Sequence, residues 1–121
     1  MATIVNSLPA QIDYEIWQGD TWFPGTITAK VNNVAIDFTG HSAKMEIRNA
    51  ISKALVLTLT SDPSGGIVLT DDGIITLSMT AAQTNDLTGE YSYDLQIIYP
   101  NGNVRTYTWG TLTVLTDTTA N

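Results

Sequence analysis

Apolar and polar residues alternate one for one along most of this chain, and that period narrows its fold more than any other feature. Successive side chains of an extended strand point to opposite faces, so strict alternation marks strands with one buried and one solvated face. Thr26 to Val31 is the clearest early case, with Ile27, Ala29 and Val31 inward and Thr28 and Lys30 outward. Ile12 to Trp17 places Ile12, Tyr14 and Ile16 on one face. Ser42 to Arg48 repeats the pattern with Ala43, Met45 and Ile47, and Leu55 to Thr60 with Leu55, Leu57 and Leu59. Turn chemistry separates these runs. Asn32-Asn33 tolerates positive φ and folds Val34 to Asp37 back as a short partner, and Thr39-Gly40 turns the chain again. Ser61 to Gly66 is a loop, and Asp71-Asp72-Gly73 joins Ile67–Leu69 to Ile74–Met79 as a hairpin.

The last third is read in more detail. Glu90 to Tyr99 and Val104 to Leu115 flank Pro100-Asn101-Gly102-Asn103, and Asn-Gly is the preferred centre of a two-residue type I′ turn. That turn sets Tyr99 opposite Val104, Leu95 opposite Thr108 and Tyr93 opposite Gly110. One face then holds Tyr91, Tyr93, Leu95, Ile97, Tyr99, Val104, Leu112 and Val114, and is the core face. The other holds Asp94, Gln96, Ile98, Arg105, Tyr107 and Trp109. Between the strands there is one helix signal. Thr80-Ala81-Ala82-Gln83 fits a capping box, and Leu87-Thr88-Gly89 ends the segment after a turn or two. Short strands every 8–12 residues with Gly, Asn and Pro turns predict an antiparallel β-sandwich. Residues 12–115 are expected to form the single domain, with 1–11 an N-terminal extension and 116–121 a flexible tail.

Composition then closes off function classes. A chain of 121 residues has room for one domain, and the absence of cysteine rules out disulfide frameworks, thiolate metal sites and thiol catalysis. Five Lys and Arg against twelve Asp and Glu give a formal charge of −7, which opposes nucleic acid and anionic membrane as partners. Met1 to Gln11 lacks the basic and apolar regions of a signal peptide, and no apolar run approaches the length of a spanning helix. Nineteen threonines make a strand surface that is polar yet sparsely charged, and such a surface desolvates cheaply against other protein.

Catalytic patterns are weak. His41 is the single histidine, no nucleophile elbow accompanies any serine, and a triad would have to be built on this one ring. Asp71-Asp72-Gly73 lacks the spaced acids and distal Glu of a calcium loop. Nothing sets Glu15, Asp37, Glu46 or Asp94 across a cleft, and Gly65-Gly66 lacks the helix and lysine of a phosphate loop. The reading is therefore non-enzymatic, with no metal and no cofactor. The candidate interface is the outer face of the terminal hairpin, made of Trp109, Tyr107, Ile98, Arg105 and Gln96. Aromatics with one Arg in a sparsely charged setting suit a protein partner. The same ring pair would also stack on a sugar, and a covering loop would make it core instead. Trp17, Trp22 and Phe23 form either a second contact surface or a lid on the core, and the lid is favoured.

The order of these features resembles a group of small tailed-bacteriophage structural proteins with immunoglobulin-like β-sandwich domains, including the N-terminal domain of phage baseplate upper proteins. The resemblance rests on Gln18-Gly19-Asp20-Thr21-Trp22, on Ile36-Asp37-Phe38-Thr39-Gly40 followed by Ala43 to Arg48, and on Leu57-Thr58-Leu59. It continues through Gly73 to Leu77, Thr80 to Gln83, Gly89 to Leu95, Asn101-Gly102 and Gly110 to Val114, so it spans roughly residues 12 to 115. It implies an immunoglobulin-like sandwich of seven to nine strands and a virion structural role at the tail or baseplate, made in the bacterial host cytoplasm. The implied partners are other virion proteins and the chain itself, as a homo-oligomer or ring. A head, neck or capsid-decoration position and a cell-surface glycan partner stay open as alternatives.

Overall fold

The computed structural model describes residues 2–5, 9–24 and 26–116. Eleven strands and one short helix follow one another in these residues. They are β1 (Ala2–Val5), β2 (Ala10–Gln11), β3 (Tyr14–Trp17), β4 (Thr26–Val31), β5 (Val34–Ala35), β6 (Ser42–Asn49), β7 (Leu55–Thr60), β8 (Ile67–Leu69), β9 (Ile74–Leu77), α1 (Ala81–Asn85), β10 (Gly89–Ile98) and β11 (Val104–Leu115). Two sheets result. One has the order β1-β4-β9-β8, with β5 also on β4; the other has the order β2-β11-β10-β6-β7, with β3 following β2 along β11.

The alternating residues build the space between the sheets. Tyr91, Tyr93, Leu95 and Ile97 of β10 lie beside Ala43, Met45 and Ile47 of β6, and Leu59 of β7 extends the row. Ile27 and Ala29 of β4, Ile67 of β8, and Ile75, Leu77 and Met79 close on them from the other sheet. All are buried, and full burial of a side chain of this size is worth roughly 1.5–3 kcal/mol. The capping box forms as read. Thr80 Oγ1 accepts from the Gln83 amide at 3.1 Å, and Gln83 Oε1 accepts from the Thr80 amide at 2.9 Å. Asn32 and Asn33 take φ of 50° and 68°, the turn their side chains tolerate.

Three expectations change. The domain is β-rich and sandwich-like, but its strand order does not establish immunoglobulin topology, and eleven strands replace the seven to nine expected. The sheets are not wholly antiparallel, because β1 runs parallel to β4, and β2 and β3 run parallel to β11. Residues 2–5 and 10–11, placed before the domain on sequence, pair into its sheets as β1 and β2. Periodicity assigns a residue to a face; it carries no information about which strand lies alongside or in which direction. The tail residues 117–121, and Gly25 in the Trp22–Gly25 break, fall outside the described residues.

A further change is in the terminal hairpin. The Tyr99 carbonyl accepts from the Gly102 amide at 2.9 Å, and the Tyr99 amide donates to the Asn103 carbonyl at 2.8 Å. The loop therefore has three residues, with Pro100 opening the turn and Gly102 left-handed at φ 90°. Proline fixes the φ that the first central position of a type I turn needs, so Pro100 diverts the chain from the two-residue turn. Asn101 keeps a negative φ and uses its side chain to hold the Asn103 amide at 2.9 Å. Ile98 consequently faces Val104, one residue away from the expected register. A β-bulge between the Leu95–Thr108 and Gln96–Thr106 pairs then inserts Tyr107 and restores the expected pairing beyond it, including Tyr93 with Gly110.

Candidate interaction surface

The bulge decides which face each candidate residue occupies. Trp109 pairs with Asp94, Thr106 with Gln96, and Val104 with Ile98, so these six share the outer face of the six-stranded sheet. Trp109 is 44% exposed. Around it the face carries Thr111 and Ser92 on one side, and Lys44, Glu46 and Thr58 across β6 and β7. Ser42, beside Ile98, ends the row nearest the turn.

Tyr107 and Arg105 leave this face. Tyr107 is fully buried, and its hydroxyl shares a 2.7 Å hydrogen bond with that of Tyr99, so its placement beside Trp109 is corrected. Its ring lies 6.1 Å from that of Phe38. Arg105 pairs with Ile97, whose side chain is in the core, and so stands on the inner side beyond the edge of the core, where it is exposed. Val104, expected in the core, is 55% exposed on the outer face. The cause is the same for all three. Between the three-residue turn and the bulge the strand is displaced by one residue, and one residue of slip exchanges the two faces.

Electrostatics on the outer face centre on Asp94. Desolvation raises its pKa, repulsion from Glu46 adds to the rise, and Arg48 and Lys44 partly offset it. Its Oδ1 is buried and has no hydrogen-bond partner among the described residues. Glu46 itself is held by Arg48 at 3.1 Å and Lys44 at 3.9 Å. The inner-side tyrosine behaves differently. Burial pushes the Tyr107 hydroxyl above the ordinary phenol value, the bond to Tyr99 adds to the shift, and Arg105 pulls it back.

The lid reading divides. Trp22 is buried, its amide and carbonyl each bond to Met79 at 3.0 Å, and its ring meets that of Tyr14 edge-on at 5.2 Å. Trp17 and Phe23 are 50% and 63% exposed and border an open groove of about 290 Å³ together with Glu15, Asp20 and Pro24. Alternation already set Trp17 opposite to Ile16, so its exposure was available from the sequence; that of Phe23, in a loop, had no periodic signal.

His41 lies between the rings of Phe38 and Tyr99, at 5.6 and 4.9 Å, with Nδ1 3.1 Å from the Thr39 carbonyl oxygen. It borders an open groove of about 530 Å³ lined by the Ser61–Leu69 segment. Among the described residues no three His, Asp or Glu side chains gather into a metal-binding group.

Fold and surface together describe a two-sheet β domain that presents its distinctive side chains on an open sheet face. No family model matches the sequence, and no curated protein matches it. Among solved structures the fold is similar to the N-terminal domain of phage TP901-1 ORF48, with a TM-score of 0.54 and 11% sequence identity over 93% of each chain.

Proposed function

We propose that this chain is a non-enzymatic structural module of a bacteriophage virion, at the tail or baseplate, that docks on other virion proteins through the outer face of its six-stranded sheet. The observation that carries the reading is Trp109. Its half-exposed indole stands on the outer face among Thr106, Thr111, Ser92 and Gln96, with Ile98 and Val104 toward the turn and the charged group of Asp94, Glu46, Lys44 and Arg48 beside it. An aromatic anchor among hydroxyl and amide side chains, flanked by charges of both signs, has the composition of a protein-binding centre with a polar rim. The shared fold with a phage protein domain supports the virion setting. The alternative glycan platform needed two adjacent rings, and the burial of Tyr107 leaves one.

The test is Trp109→Ala introduced into the phage that carries the gene. The variant domain is expected to keep the wild-type circular dichroism spectrum and melt, while quantitative mass spectrometry of purified particles finds it depleted about tenfold or more. Wild-type protein missing from the particles sinks the virion reading. A variant packaged at the normal level moves the docking surface away from Trp109.

A further inference from the structure

The two ends of β11 carry complementary groups that have no partner among the described residues. Leu115 pairs with Trp17 at one end, and Arg105 lies ten residues away near the other, a separation of about 33 Å along an extended strand. At the Trp17 end, the exposed rings of Trp17 and Phe23 border the 290 Å³ groove with the carboxylates of Glu15 and Asp20. Neither carboxylate accepts a hydrogen bond or ion pair from another described residue. Glu90 lies on the same transverse row as Glu15, with Thr113 between them, and adds to the negative charge.

This end is held in shape. Thr84, fully buried on α1, donates from its hydroxyl to the Asp20 carbonyl at 2.7 Å and accepts from the Gly19 amide at 3.1 Å. Gln18 Nε2 donates to the Asn85 carbonyl at 3.0 Å. The bonds of Trp22 to Met79 fix the next step of the chain. Trp17 and Phe23 are thus displayed from a pinned turn, which lowers the ordering cost of binding there.

At the opposite end, Arg105 borders a shallow groove with Tyr99, Asn103 and Val104. The chain has two arginines. Arg48 is engaged by Glu46 and by the Lys53 carbonyl, whereas Arg105 makes no hydrogen bond or ion pair with the described residues. A guanidinium stacks on aromatic faces and bonds carboxylates in a planar fork, so it fits the groups at the Trp17 end. An intramolecular contact is excluded by the distance.

We infer that the domain associates head to tail with a second copy of itself, Arg105 of one copy entering the Trp17–Phe23 groove of the next between Glu15 and Asp20. The two surfaces differ, so the contact is heterologous and can repeat, closing a ring or extending a filament. It does not use Trp109, although Glu15 and Trp17 continue the same outer face at its far end, and it stands whether or not the virion reading holds.

Light scattering on a sizing column tests it with two variants that break opposite ends. Wild-type protein is expected to exceed 13.1 kDa increasingly with concentration, and less so at high salt. Arg105→Glu and the double variant Trp17→Ala/Phe23→Ala should each weaken association about tenfold or more and run as monomers. Mixed one to one, they retain one intact junction per pair and should form a dimer of twice 13.1 kDa and nothing larger. If the aromatic double variant unfolds, Glu15→Lys/Asp20→Lys takes its place. A wild-type protein that stays monomeric at millimolar concentration overturns the inference and assigns the two ends to other proteins. So does an oligomer indifferent to both variants, or a mixture that remains monomeric while the wild type associates.

Discussion

The two halves of the terminal hairpin obey different registers, and the difference is one residue. Beyond the bulge, from Leu95–Thr108 to Gly89–Val114, paired residue numbers follow the register that a two-residue Asn-Gly turn would impose. Between the bulge and the turn they are displaced by one. The distal half is fixed by tertiary contacts. Gly110 gives the Ile12 carbonyl and Asp13 the space a side chain would occupy, and Tyr93 donates to that same carbonyl at 2.6 Å. The proximal half is fixed locally by Pro100 and Gly102. Both constraints are satisfied at once because Tyr107 absorbs the mismatch. A residue that would have stood outside is thereby driven into the core.

The largest effect should therefore come from the residue that joins the halves. Tyr107→Ala removes a fully buried ring beside Phe38 and is expected to cost about 3–5 kcal/mol in urea unfolding, while Tyr107→Phe costs about 1 kcal/mol through the lost bond to Tyr99. A loss under 1 kcal/mol for the alanine variant would return Tyr107 to the surface and undo the bulge. Gly110→Ala comes next. A Cβ there collides with the Ile12 backbone, so the strand must shift or β2 and β3 must loosen from β11, at about 2–3 kcal/mol. Amide exchange should locate the damage at Ile12 and Thr111. Uniform loss of protection across β10 and β11 would mean that the distal half is held by something else.

Much of this was legible from residue patterns, and the limit lies in a definite place. Core faces of β6, β9 and β10 follow directly from alternation, because each strand is buried on one side only, and on β4 Ile27 and Ala29 follow it too. Val31 at the end of β4 and Leu55 at the start of β7, both expected inward, are exposed because they lie beyond the edge of the core. The helix cap follows from Thr80 and Gln83, since its bonds are local. The face of Tyr107 could not be read this way. Alternation counts residues from a known point, and a bulge changes the count without any signature of its own here. Competition between Pro100 and Asn101-Gly102 was the available clue: proline at the first central position favours a type I turn and hence a longer loop. Neighbours such as β3 beside β11 depend on long-range packing, for which spacing along the chain has no signal. Trp109 kept its expected face because it lies beyond the bulge, and Arg105 did not because it lies before it.

A smaller, gentler perturbation examines the distal half from its outer side. Asp94 pairs with Trp109, and desolvation followed by Glu46 repulsion raises its pKa. The folded protein thus holds this proton to higher pH than the unfolded chain, whose value is near 3.8. Where the native state binds more protons than the unfolded state, stability falls as pH rises, so the cost begins just above pH 3.8 and persists at neutral pH once Asp94 is ionised in both states. Asp94→Asn removes the charge with little change in shape. It is expected to gain a few tenths of a kcal/mol at pH 7, a modest figure because solvent still screens this carboxylate, and nothing at pH 3. Asp13 and Asp37, whose pKa values are lowered mainly by hydrogen bonds from Thr111 and Thr39, respond to acid in the opposite sense but equally in both proteins. The difference between wild type and variant therefore isolates Asp94. Urea midpoints at the two pH values measure it, and an equal gain at both would mean that the carboxylate beside Trp109 carries no penalty for its charge.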